Sequence, residues 1–228
     1  MSVLRFANVS KLYGLSDQSV TALSDVTVEI DPGEFVALIG RSGCGKSTFL
    51  NLAGAMDLPT HGEVHIGGVS TARMGDAELT AVRREQVGFI FQFFQLLPTL
   101  SAVENVELPL QLASQPRPRH RALELMELVG LNGLGDRLPY QLSGGQMQRV
   151  AVARALVHSP AVLLADEPIG NLDTETSSGI LDLLQHINTD LGTTIVMATH
   201  SRDSAGRAGR ILRLSDGRLS PESPTRPV

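Results

Sequence analysis

The amino-acid sequence predicts an α/β protein: a parallel sheet covered by helices, joined to a small antiparallel sheet and interrupted by an inserted helical subdomain. Three observations predict it. The short apolar runs FVALIG, VGFIF, AVLLAD and TTIVMATH, the last three ending in polar residues, suit strands buried on both faces. VLRFANVS and SDVTVEI instead alternate, as strands of a half-exposed sheet do. From Ser101 to Ser159 there is no convincing strand, and the signals are helical.

Taken in order, VLRFANVS and SDVTVEI are strands, DPGE is a turn, and FVALIG is a buried strand. KSTFLNLAG reads as a helix with Gly54 near its end, and PTHGEVHIGG as a turn and another edge strand. SAVENVELPLQLA opens with Ser101 and Glu104 at capping-box spacing. QPRPRH is expected to be an exposed loop, and RHRALELMELVG an amphipathic helix that stops at Gly130. SGGQMQRVAVARALVHSP starts with a second box, Ser143 and Gln146, and stops before Pro160. The proline-rich tail from Ser220 is expected to be disordered. No internal repeat is present.

A chain of 228 residues buries a sizeable core, and a net charge of −5 gives no footprint for nucleic acid. Cys44 is the only cysteine, so an intramolecular disulfide is excluded and a reducing compartment is expected. The N-terminal stretch lacks the apolar run of a signal peptide, and no window approaches the ~18 consecutive apolar residues of a membrane span. The protein is expected to be cytoplasmic, with any membrane role arriving through a partner.

GRSGCGKST, Gly40 to Thr48, fits G-x-x-x-x-G-K-[ST] between a strand and a helix. Gly40, Arg41, Ser42, Gly43, Cys44 and Gly45 form a loop in which Gly43 and Gly45 let successive N–H groups point at phosphate oxygens, with the helix N-terminus adding its positive end. Lys46 is the point charge for the β and γ phosphates, the Ser47 hydroxyl is a Mg²⁺ ligand, and Thr48 completes the motif. Cys44 is a small residue that fits the loop, or alternatively a reactive thiol at a helix N-terminus. In AVLLADEP, Asp166 and Glu167 emerge at a strand's C-terminal end. Asp166 suits Mg²⁺ reached through water, and Glu167 suits a general base for attacking water. The only lysines, Lys11 and Lys46, sit in no N-K-x-D element, so the base is expected to be adenine. Tyr13 is expected to stack on it, the alternative being internal packing.

LSGGQ (Leu142 to Gln146), with the phosphate loop, Gln92, LLADEP, GNLD (Gly170 to Asp173) and His200 in that family's set, resembles an ABC-type ATP-binding cassette from about Val3 to Leu219. The resemblance implies a single domain: a RecA-like P-loop NTPase core over 1–93 and 160–219, a helical signature subdomain over 94–159 and a tail over 220–228. GFIFQFFQLLPTLSAVENVELPL and ADEPIGNLD look like the cassettes of macrolide-exporter and lipoprotein-releasing transporters. Such cassettes pair head to tail around two Mg·ATP. Ser143, Gly144, Gly145 and Gln146 of one copy would then close on the γ-phosphate held by the other. By the same motif matches, Asp173 belongs to the loop that reaches across the dimer, and His200 orients the γ-phosphate and water. Gln92 senses Mg²⁺ and water and links the site to the helical subdomain. Ile169, Met147 and Ser201 depart from the usual Thr, Gln and Asp of these relatives.

The resemblance further implies an ATPase subunit on the cytoplasmic face of the inner or plasma membrane, driving a membrane permease subunit in export or extraction of a lipoprotein, peptide, drug or haem. ETSSGILDLLQHIN and TTIVMATH are also similar to the cell-division cassette, whose alternative role is to regulate wall hydrolysis through its membrane partner. Four of the seven phenylalanines fall between Phe89 and Phe94. Phe89 and Phe91 are expected in the core. Phe93, Phe94, Leu96 and Leu97 lie where the family receives a short helix of the membrane subunit.

Overall fold

The structure, a computed structural model, describes residues 1–14 and 19–220. It opens with an antiparallel pair, β1 (Leu4–Tyr13) and β2 (Val20–Ile30), aligned so that Leu4 faces Ile30 and Tyr13 faces Val20. β3 (Phe35–Ile39) leads through the glycine-rich loop into α1 (Lys46–Ala53), after which β4 (His61–Ile66) and β5 (Val69–Ser70) return to the first sheet. α2 (Asp76–Gln86) feeds β6 (Val87–Ile90). Three helices follow: α3 (Ala102–Leu112), α4 (Pro118–Leu128) and α5 (Gly144–Leu156). The described chain ends with β7 (Val162–Asp166), α6 (Thr174–Leu191), β8 (Thr194–Thr199), α7 (Arg202–Ala205), β9 (Arg210–Ser215) and β10 (Arg218–Leu219).

The small sheet has the order β2-β1-β4-β5 and the large one β10-β9-β3-β8-β7-β6. In the large sheet β9, β3, β8, β7 and β6 run parallel, and only β10 is antiparallel to its neighbour. The two-residue period of a strand sorts its side chains onto two cores. Val162 and Leu164 of β7 face a core shared with α1 and the small sheet, where the Phe6 and Phe49 rings stack 4.3 Å apart. Leu163 and Ala165 face a second core built with α3 to α6. With both faces apolar and covered, the polar ends of the parallel strands are what remains for a ligand. The residues after β3, β6, β7 and β8 all emerge there, on one edge.

Both expected capping boxes are present, at Ser101–Glu104 and Ser143–Gln146. Four expectations change. β4 is not an edge strand: it pairs with β1 on one side and with the two-residue β5 on the other. QPRPRH is exposed but only partly a loop, because Pro118 begins α4, where its missing N–H leaves nothing unsatisfied. Phe89, inside β6, is partly buried and packs onto the first core as expected, whereas Phe91 lies past the strand's end at Ile90 and stacks on Phe89, centroids 4.4 Å apart. Ser220 is tied down by donating its N–H to the Arg213 carbonyl, while the rest of the tail lies outside the described residues.

Candidate functional site

The phosphate loop is bounded by Ile39 and Lys46, and its curl rests on Gly45. There φ is +108°, and a Cβ would lie 2.5 Å from the Ala22 carbonyl, so no side chain fits. Gly45 is also the N-cap of α1, with no side-chain cap and no acid in the first turn. The first N–H groups of α1 are therefore left for an anion. Lys46 is buried and donates from Nζ to the carbonyls of Gly40 (2.8 Å) and Arg41 (3.3 Å), so its charge sits over the loop. Cys44 is buried in the first core, which favours a packing role for its thiol.

A cavity of about 480 Å³ opens over this loop. It brings together Lys46, Ser47 and Thr48 with Gln92, Asp166, Glu167 and His200, seven residues from four separate stretches of the sequence. Burial pushes the Asp166 carboxyl above its ordinary value, a hydrogen bond with Ser47 draws it down, and the neighbouring Glu167 charge raises it again. Ser47 and Asp166 therefore already share one oxygen-rich corner. Among the described residues, no group of three or more His, Cys, Asp or Glu is placed to hold a metal ion. A cation here would rely on a hydroxyl, an amide oxygen, one carboxylate and water, a donor set that suits Mg²⁺. Glu167 sits at φ +46°, with its N–H donating to the Ala198 carbonyl of β8. That turn aims its carboxylate at His200, whose Nδ1 is 3.0 Å from Oε2. Tyr13, half-exposed at the end of β1, bonds through its hydroxyl to Asp57.

The signature residues do not line this cavity. Ser143, Gly145 and Gln146 border a different concavity, with Arg149, Glu175 and Thr176. Ser143 caps α5, accepting from Gln146 N, while Gln146 Oε1 accepts from Ser143 N. A Cβ on Gly145 would lie 2.4 Å from the Thr176 methyl, so α5 and α6 meet closely at this point. Asp173 is used locally as well: it caps α6 by accepting from Thr176 N and Oγ1, and these bonds hold its carboxyl below the ordinary value.

The 93–97 segment divides. Phe93 and Leu97 are exposed, at 65% and 45%, whereas Leu96 packs onto the second core. Phe94 is partly buried, its ring tip 3.8 Å from where a Cβ on Gly144 would stand. Several residues that fix this region escape sequence reasoning. Arg154 of α5 donates to the carbonyls of Gln95 (2.5 Å) and Phe94 (2.8 Å), both residues at positive φ. Fully buried Asn105 accepts from Leu97 N and donates to the carbonyls of Leu97, Leu100 and Ser101. Asn171 donates to the Gln92 carbonyl. A polar Asn105 among the apolar residues of α3 was the one signal available.

Residues 23–170 match the ABC transporter family. The chain is 43% identical to the lipoprotein-releasing system ATP-binding protein LolD of Bordetella pertussis, over 96% of each chain. It is 44% identical to the macrolide export ATP-binding/permease protein MacB of Rhodopirellula baltica, over 94% of this chain but 32% of that one. Its fold matches the dimeric, post-hydrolysis structure of the ATP-binding cassette MJ0796 of Methanocaldococcus jannaschii, bound to ADP and Pi, with a TM-score of 0.89 and 43% identity. That match covers 99% of this chain and 100% of the other. The chain belongs to the ABC transporter family, as an ATP-binding cassette with ATPase activity.

Proposed function

We propose that this cassette pairs with a second copy of itself around two Mg·ATP and drives a separate integral membrane subunit from the cytoplasmic face of the inner or plasma membrane. One observation carries the pairing. The phosphate cradle and the signature helix start border different concavities of the same chain, so neither can close on the other's ligand. A second copy turned head to tail supplies the missing half of each site. The dimeric relative supports this arrangement. Among the described residues no helix is long and apolar enough to cross a membrane, which supports a partner as the membrane-spanning element.

Each residue then has a role. The loop N–H groups and Lys46 bind the β and γ phosphates. Ser47 and Gln92, with Asp166 through water, hold Mg²⁺, which supplies positive charge against the phosphates. Glu167 takes the proton of the attacking water, and His200, bonded to it, orients that carboxylate and the γ-phosphate. Tyr13 stacks on the adenine, and Ser143 with Gly144 and Gly145 closes over the γ-phosphate of the other copy. Catalysis rests on positioning and charge stabilisation. The names of the relatives support export or extraction, of a lipoprotein, peptide, drug or haem, as the work performed. The test is solution scattering of Glu167→Gln saturated with Mg·ATP. A dimer is expected, and a monomer under those conditions would remove the pairing.

A further inference from the structure

Beside the phosphate cradle, three residues form a closely bonded charged cluster. Lys11 and Tyr13 lie two apart on β1, so their side chains share one face of the small sheet. Asp57 comes from the turn that ends α1, where Ala55 is at φ +53° and the Asp57 N–H donates to the Asn51 carbonyl. Asp57 Oδ1 accepts from Lys11 Nζ at 2.6 Å, and Oδ2 accepts from the Tyr13 hydroxyl at 2.8 Å. Lys11 also donates to the Leu58 carbonyl at 2.8 Å. Its ammonium sits over the Tyr13 ring, 4.9 Å from the centroid. Thr48, in the first turn of α1 and last in the phosphate-loop motif, neighbours the Tyr13 hydroxyl.

This is more fixation than a half-exposed surface tyrosine requires. A lone salt bridge at a protein surface contributes little, but Lys11 is only 12% exposed and Asp57 29%, and both oxygens of the carboxylate are used. The hydroxyl is pinned at one end of the ring and the ammonium covers one face. One face is left over, on the strand end that pairs with Val20, which itself borders the phosphate cavity.

We propose that Asp57 and Lys11 are positioning residues for the nucleotide base: they hold the Tyr13 ring at a fixed angle with one face turned to the purine. This rests on the reading that Tyr13 stacks on the base. A stacking platform held in place loses little freedom when ligand arrives, so the gain from stacking is retained as affinity.

The test compares ATP with inorganic tripolyphosphate, which fills the phosphate cradle and has no base, on the full chain. Tyr13→Ala is expected to weaken ATP about 10- to 100-fold and to leave tripolyphosphate unchanged. Asp57→Ala is expected to reproduce part of that loss, roughly 3- to 10-fold, again for ATP only. In the Tyr13→Ala background it should add nothing, since the residue it positions is gone. Tyr13→Phe, which removes the tether and leaves no buried charge, should match Asp57→Ala and serves where that variant folds poorly. A loss of ATP and tripolyphosphate alike, persisting in the Tyr13→Ala background, would mark Asp57 as a merely structural residue and overturn the proposal. So would full ATP affinity in both Asp57→Ala and Tyr13→Phe beside a weakened Tyr13→Ala. Undiminished ATP affinity in Tyr13→Ala would instead remove the stacking reading itself.

Discussion

The two helix starts assigned to phosphate are built differently. α1 begins at a glycine in the left-handed region, with no side-chain cap, so its first N–H groups are bare. α5 begins with a closed capping box in which Ser143 and Gln146 satisfy each other's backbone. The first start is ready for an anion in a single chain. In the second, the box takes up the Gln146 N–H and the Ser143 hydroxyl, so a phosphate meeting this start would compete for both. On the proposed pairing this sets an order: nucleotide would settle on α1 first, and α5 would engage when a second copy presents the γ-phosphate. Giving up the cap would cost α5 about 1 kcal/mol, a small penalty on closing that would favour reopening once the phosphate leaves.

The variant with the largest expected effect separates binding from chemistry at the first start. Glu167→Gln should lower ATP turnover by roughly 10² to 10⁴ while leaving the ATP dissociation constant near that of the parent. Steady-state hydrolysis and equilibrium binding together check it. Parent-like turnover would remove Glu167 as the base.

A smaller effect isolates the second start. Ser143→Ala removes the cap and the hydroxyl offered to the other copy's phosphate. ATP binding to the single chain should be unchanged, whereas turnover should fall by about 10², through loss of the closed pair. Thermal unfolding should report the lost cap as about 1 kcal/mol. A drop in single-chain ATP affinity of comparable size would mean that the two starts act on one nucleotide within one chain, and the contrast would collapse.

Asp166 tests how far the first start is strained without its ligand. Burial raises this carboxyl above its unfolded value, so the ionised form opposes folding at pH 7. Asp166→Asn should therefore raise the thermal midpoint of the nucleotide-free chain by roughly 2–4 °C per kcal/mol recovered. The sign fixes the pH dependence: as pH falls through the raised value the parent carboxylate takes up a proton, and the advantage of the variant shrinks. Calorimetry between pH 7 and 4 measures this. A parent more stable than the variant across that range would mean that the bond with Ser47 outweighs burial.

Local rules made much of this molecule legible. The phosphate loop, both capping boxes and the acidic end of β7 depend on neighbours in sequence, and each lies where its spacing places it. The hairpin β9–β10 carries an equally local signal, since Asp216-Gly217 is a turn pair with both residues at positive φ. What could not be read is set by long-range contact. Asp57 meets Tyr13 across 44 positions and Arg154 meets Gln95 across 59. Nothing in either local stretch announces its partner. The same holds for Phe91 and Phe93, whose exposure depends on β6 stopping at Ile90.

The last variant, with the smallest expected effect on nucleotide chemistry, concerns what moves the second start. Phe94 lies against Gly144 at the head of α5, and Arg154 of the same helix grips the Phe94 and Gln95 carbonyls. Any movement of this segment would therefore reach α5 through the Arg154 hydrogen bonds and the Phe94 ring. Phe93 is the ring left in solvent at 65% exposure, so it is the cleaner probe of docking. Phe93→Asp should leave ATP binding and thermal stability within about 0.5 kcal/mol of the parent while abolishing co-purification with the membrane subunit. Phe94→Asp should also abolish it, but with an added loss of stability, because the packing of the partly buried ring on the head of α5 would be lost. Intact co-purification of Phe93→Asp would move the docking surface elsewhere and leave the Arg154 grip as an internal brace of α5.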